Sequence, residues 1–129
     1  MRYVYGVVAL LMAIFAVLQY DDPDGPVWAL YYGVPAVWCG IAAFRPDILV
    51  STAGRALLGL CVVAALALSV WYWPPVAGFW HEEVWRMSGA VQGDTTAEQA
   101  REGMGIMIAT AVILAVFVAS FRMRRPAAA

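Results

Sequence analysis

At 129 residues the chain has room for one domain, and its 64% hydrophobic and 13% charged residues lie far from the soluble norm of roughly 45–50% apolar and about 25% charged. The net charge is −1 and no nucleic-acid partner is expected, and a mean hydropathy of +0.74 excludes an ordinary water-soluble fold. The apolar residues come in long runs instead of the 3.6-period stripes of a water-facing helix, so the class is membrane.

A hydrocarbon core of about 30 Å needs roughly 20 apolar residues at 1.5 Å rise each. The pattern predicts helices over 3–20, 26–44, 55–73 and 96–122, the last containing a span from Gly103 to Phe121. A β-barrel would show alternating segments of about 10 residues, which the sequence lacks. The first run follows Arg2 but has no small-x-small site before Gln19, so it reads as an uncleaved anchor rather than a secretory signal.

Between the first two spans, Gln19-Tyr20-Asp21-Asp22-Pro23-Asp24-Gly25-Pro26 is a tight acidic turn. The connection from Arg45-Pro46-Asp47 to Gly54 is also brief, and short connections favour an up-down-up-down bundle. Cys39 and Cys61 fall near the same border and read as small packing residues, not a disulfide.

The long loop, residues 74–95, opens with Pro74-Pro75, which end the third helix. Phe79 to Met87 places Trp80, Val84, Trp85 and Met87 where a short interfacial amphipathic helix would bury them. Ser88 to Asp94 is a link of small residues, and Thr95-Thr96-Ala97-Glu98 is a capping box for the last helix.

Orientation follows from the basic residues, all eight of which are arginine. Arg2, Arg45, Arg55, Arg122, Arg124 and Arg125 fall on one side and Arg86 and Arg101 on the other, which puts both termini in the cytoplasm. Of the acidic residues only Asp47 lies inside, so the acidic loops face the periplasm or exterior of what is expected to be a bacterial inner (plasma) membrane. The expected architecture is an all-α, four-transmembrane-helix up-down bundle forming a single domain over 1–129. Aromatic residues crowd the outer border, among them Tyr20, Trp28, Tyr31, Tyr32, Trp71, Tyr72 and Trp73, and read mostly as interfacial anchors. On the last helix Gly105 and Ala109, and Ala111, Ala115 and Ala119, recur at the four-residue spacing of close helix packing.

Two segments carry the polar groups: Gln19, Asp21, Asp22 and Asp24 leaving the first helix, and Glu98, Arg101, Glu102 and Gly105 on one face of the last. Neighbouring first and last helices would bring the two together, Arg101 pairing with a loop aspartate and Gly105 admitting the loop backbone. At these residues the sequence resembles the transmembrane protein 220 family, small four-helix membrane proteins marked by a Gln-x-Asn-Asp-Pro-Asp stretch and a later Arg-Glu pair followed by Gly. The matching residues are Gln19, Asp22, Pro23 and Asp24, then Arg101, Glu102 and Gly105, with Asp21 where the family usually has Asn. The resemblance implies the fold and singles out these residues without naming an activity.

Two readings of the cluster stay open. Gln19, Asp22, Asp24, Arg101, Glu102 and Gly105 can form a structural lock, since charges at a membrane border normally occur paired. Alternatively Asp21, Asp22, Asp24, Glu98 and Glu102 supply enough oxygens for Ca²⁺, with His81 as a further donor. No cofactor is otherwise expected. Nucleophilic catalysis would need a hydroxyl or thiol beside the sole histidine, yet Ser88 is on the link and both cysteines are on the far side. Haem ligation lacks a second histidine, and transport lacks a charge within any span. The expected function is therefore non-catalytic: an accessory or assembly subunit whose partners are the lipid bilayer and other membrane protein subunits. A binder of a divalent cation or small cationic ligand at the outer face is the alternative.

Overall fold

The computed structural model describes residues 1–20, 24–73 and 95–123, with 95–98 as backbone. The expected interfacial helix, His81, Ser88, Asp21, Asp22 and the side chains of the capping box lie outside the described residues.

Among the described residues the chain is all helix: α1 (Arg2–Val17), α2 (Gly25–Phe44), α3 (Pro46–Val50), α4 (Thr52–Trp71) and α5 (Thr95–Arg122). Three stretches are long and apolar enough to cross a membrane: Gly25–Phe44, Thr52–Trp71 and Gln99–Arg122. Arg2–Val17 is apolar but shorter, with 16 residues. It ends before the expected Tyr20 because the chain tightens there, the amides of Gln19 and Tyr20 donating to the carbonyls of Ala16 and Val17. The Gln19 side-chain amide also donates to the Phe15 carbonyl at 3.1 Å, meeting one of the acceptors that a helix end leaves open.

α3 occupies part of what the sequence suggests is a plain connection. Its cause is local: Pro46 sits in the first turn, where its missing N–H costs nothing, and Asp47 there suits the positive end of the helix dipole. Ser51 then links α3 to α4, its hydroxyl donating to the Ile48 carbonyl at 2.7 Å and accepting from the Gly54 amide at 2.9 Å as the α4 N-cap. A Cβ on Gly54 would collide with the Ile48 carbonyl oxygen, so the turn requires glycine.

α1 packs along α2, while α2 and α4 each pack on α5. α1 and α5 make at most a glancing contact among the described residues, so the last helix has α2 rather than α1 as its neighbour. The core is a cluster of Trp38, Cys39 and Ala42 from α2, Leu49 from α3, Leu58 and Val62 from α4 and Ile113 and Val116 from α5. Only Met12 of α1 is buried, and only Gly54, Leu58 and Val62 of α4. Both helices therefore present most of their apolar surface outward, which bilayer chains tolerate and water would not.

One end of the molecule gathers arginines. Arg2 lies over the Phe44 ring (5.4 Å to its centroid) and Arg55 over the Phe121 ring (5.0 Å). Arg55 Nη2 donates to the Ser120 carbonyl at 2.7 Å, one of the last carbonyls of α5, so a cation closes the negative end of that helix. Arg45 bonds Asp47 through two contacts of 3.1 and 3.0 Å. These bonds hold the exposed Asp47 carboxyl below its usual range and raise the Arg45 guanidinium.

Candidate functional site

At the opposite end, Asp24 precedes the first turn of α2 and its Oδ2 accepts from the indole Nε1 of Trp28, one turn on, at 2.7 Å. Trp28 is buried, with Tyr72 edge-on at 6.0 Å and Tyr31 at 6.2 Å. A residue expected to anchor the chain at the membrane surface is instead packed between α2 and the end of α4, where its one polar atom finds a partner. Gly25 closes against the Gln19 carbonyl, leaving no room for a Cβ, so the start of α2 meets the backbone just after α1.

Gly105 on α5 is likewise occupied, but by a side chain: a Cβ there would collide with the Tyr32 hydroxyl and sit 3.2 Å from Cζ. The Tyr32 ring also packs edge-on against Phe15 of α1 at 5.7 Å. Tyr32 of α2 therefore touches both α1 and α5. Among the described residues it is this tyrosine of α2 that stands beside Gly105; the loop residues 21–23 expected there lie outside them.

A second contact lies one residue earlier. Ser69 of α4 and Thr110 of α5 approach hydroxyl to hydroxyl at 2.8 Å, and both reach the Ala65 carbonyl, at 2.9 and 3.3 Å. The Tyr31 hydroxyl points to the same carbonyl at 3.4 Å. Three hydroxyls from three helices thus converge on one backbone oxygen. In an apolar surround such groups have only each other, so the cluster fixes α2, α4 and α5 against rotation. Nothing in the composition marks these residues; the only available signal was that lone hydroxyls within apolar spans need partners.

The expected polar cluster is described in part. Arg101 is exposed and forms no ion pair with Asp24, and Glu102 is half-buried. Asp21, Asp22 and the Glu98 side chain lie outside the described residues. Among the described residues no group of three or more His, Cys, Asp or Glu side chains is placed to hold a metal ion.

Residues 11–118 match the family model described as transmembrane family 220, helix. The chain belongs to that family. The match begins within α1, covers α2, α3 and α4 and runs through most of α5, so the membrane character of the helices is a property of the family as well as of this composition. No solved structure matches the chain. Within this family member the described contacts gather on α2, whose Trp28, Tyr31 and Tyr32 bind it to α1, α4 and α5.

Proposed function

We propose that this family member is a non-catalytic integral membrane protein acting by contact, as an accessory or assembly subunit of a larger membrane complex. In this reading α1, α2, α4 and α5 are four antiparallel spans, α1 completing its crossing through Leu18 to Tyr20. The arginine end faces the cytoplasm, as the six-to-two arginine division favours.

The observation that carries the proposal is a crevice of about 720 Å³ between α2 and α4, lined by Ala29, Gly33, Val37, Ile48, Leu57 and Cys61 among others. Protein interiors pack to the density of organic crystals, and this chain leaves the space between two of its own helices open. Gly33 has no atom within 4 Å of where a Cβ would stand, so the small residue on the crevice wall is not needed by the chain's own packing. Small residues on a lipid-facing wall let a second helix approach closely, and van der Waals contact is what drives helix association in lipid.

Crosslinking in native membranes followed by purification in mild detergent tests the reading. A recurrent partner at fixed stoichiometry is expected. Recovery of the chain alone, with a melting temperature raised by millimolar Ca²⁺ and lowered by chelator, would favour the cation-binding alternative instead.

A further inference from the structure

We infer that the arginine end seats the phosphate of an anionic phospholipid headgroup at two places, each a guanidinium resting on a lipid-exposed phenylalanine: Arg2 on Phe44 and Arg55 on Phe121. The rings are 66% and 60% exposed and lie where α2 and α5 end, so each faces acyl chains while its arginine stands at the border. A cation held against a ring is positioned without being neutralised.

The three arginines described at this end with a bonding partner or a ring differ in one respect. Arg45 is satisfied by the two oxygens of Asp47. Arg2 has no hydrogen bond or ion pair among the described residues, only its ring. Arg55 spends one Nη2 hydrogen on the Ser120 carbonyl and forms no ion pair among the described residues, so its other Nη hydrogens are left for an outside acceptor. The choice of arginine at all eight cationic positions suits this chemistry, because a planar fork matches two phosphate oxygens where a lysine offers a point charge. A phosphodiester at headgroup depth is the acceptor that a membrane border supplies, and an anionic lipid adds the net charge that the two unneutralised arginines favour.

The test uses the full chain, delipidated in detergent, with phosphatidylglycerol, phosphatidylcholine or inorganic phosphate as probe, read by native mass spectrometry of retained lipid and by thermal melting. Phosphatidylglycerol is expected to be retained over phosphatidylcholine and to raise the melting temperature. Arg2→Gln and Arg55→Gln should each lower its retention roughly fivefold, while Arg45→Gln leaves it unchanged. Since Arg55 also closes the end of α5, loss of folding in Arg55→Gln leaves the decision to Arg2→Gln and Phe44→Leu, which remove no hydrogen bond. Equal retention of the two lipids, a loss in Arg45→Gln matching that in Arg2→Gln, or a response to inorganic phosphate alone would overturn the inference.

Discussion

The two ends of the helices are tied by different chemistry. Toward the acidic end, α2 is joined to its neighbours by neutral groups held between helices: the Tyr32 hydroxyl against Gly105, the Tyr31, Ser69 and Thr110 hydroxyls around one carbonyl, and the Trp28 ring edge-on to Tyr72. At the arginine end the ties are charged and peripheral: guanidiniums on Phe44 and Phe121, and an exposed ion pair within the turn at Arg45 and Asp47. Buried neutral hydroxyls specify which helix faces lie together, because they have no solvent to fall back on. Exposed charges hold little by themselves and remain free to engage the membrane surface. Specificity of helix packing therefore sits at one end and attraction for the bilayer border at the other.

The largest effect is expected at a contact that cannot relax. Gly54→Ala drives a Cβ into the Ile48 backbone oxygen at the turn from α3 to α4 and should cost about 3 kcal/mol, the upper part of the overpacking range. Thermal melting in detergent measures it, and a neutral result would show that the turn can open.

Gly105→Ala should cost about 2 kcal/mol, but its obstacle is a hydroxyl rather than backbone. Tyr32→Phe in the same chain removes the colliding atom and leaves Cζ at 3.2 Å, so the double variant should recover most of the loss. Additive losses in the double-mutant cycle would place the strain elsewhere and break the contrast between the ends.

Thr110→Val removes one hydroxyl from the carbonyl cluster while keeping the shape, for about 1 kcal/mol, near the middle of values for interhelical hydrogen bonds in membranes. This loss should not depend on salt. The smallest effect belongs to Asp47→Asn, since Arg45 and Asp47 are both exposed. Because the Asp47 carboxyl is held low in the folded chain, its contribution is complete above the ordinary aspartate range and disappears as pH falls through the folded value. A shallow acid-side decline in melting temperature, absent in Asp47→Asn and weakened by salt, is the expected signature.

Much of this was legible in the sequence for a physical reason: bilayer-length apolar runs leave a chain little choice but helix. The bounds of α2 and the last helix follow within a residue from Pro26, Arg45 and the Thr95 turn. What was not legible depends on which face of a helix turns inward. Trp28, Tyr31 and Tyr32 read as surface anchors because tyrosine and tryptophan suit both a membrane border and a polar contact between helices; only packing distinguishes the two. The sequence marks Gly105 by its motif, yet composition does not say which group stands beside it, and among the described residues that group is the Tyr32 hydroxyl. Short loops fix antiparallel order but not which helices share the centre, so the sequence does not say that α5 packs on α2 and α4. Asp21 and Asp22 lie outside the described residues, so the proposed lock with Arg101 stands as an expectation.

The claim that the protein works by lateral contact is tested most directly by a photo-crosslinking residue placed in native membranes at Val37 or Leu57, on the crevice between α2 and α4, with Val63 on the exposed surface of α4 as the control. A discrete protein adduct of one size is expected from both crevice positions, and lipid adducts from Val63. Lipid adducts alone from all three positions would contradict it.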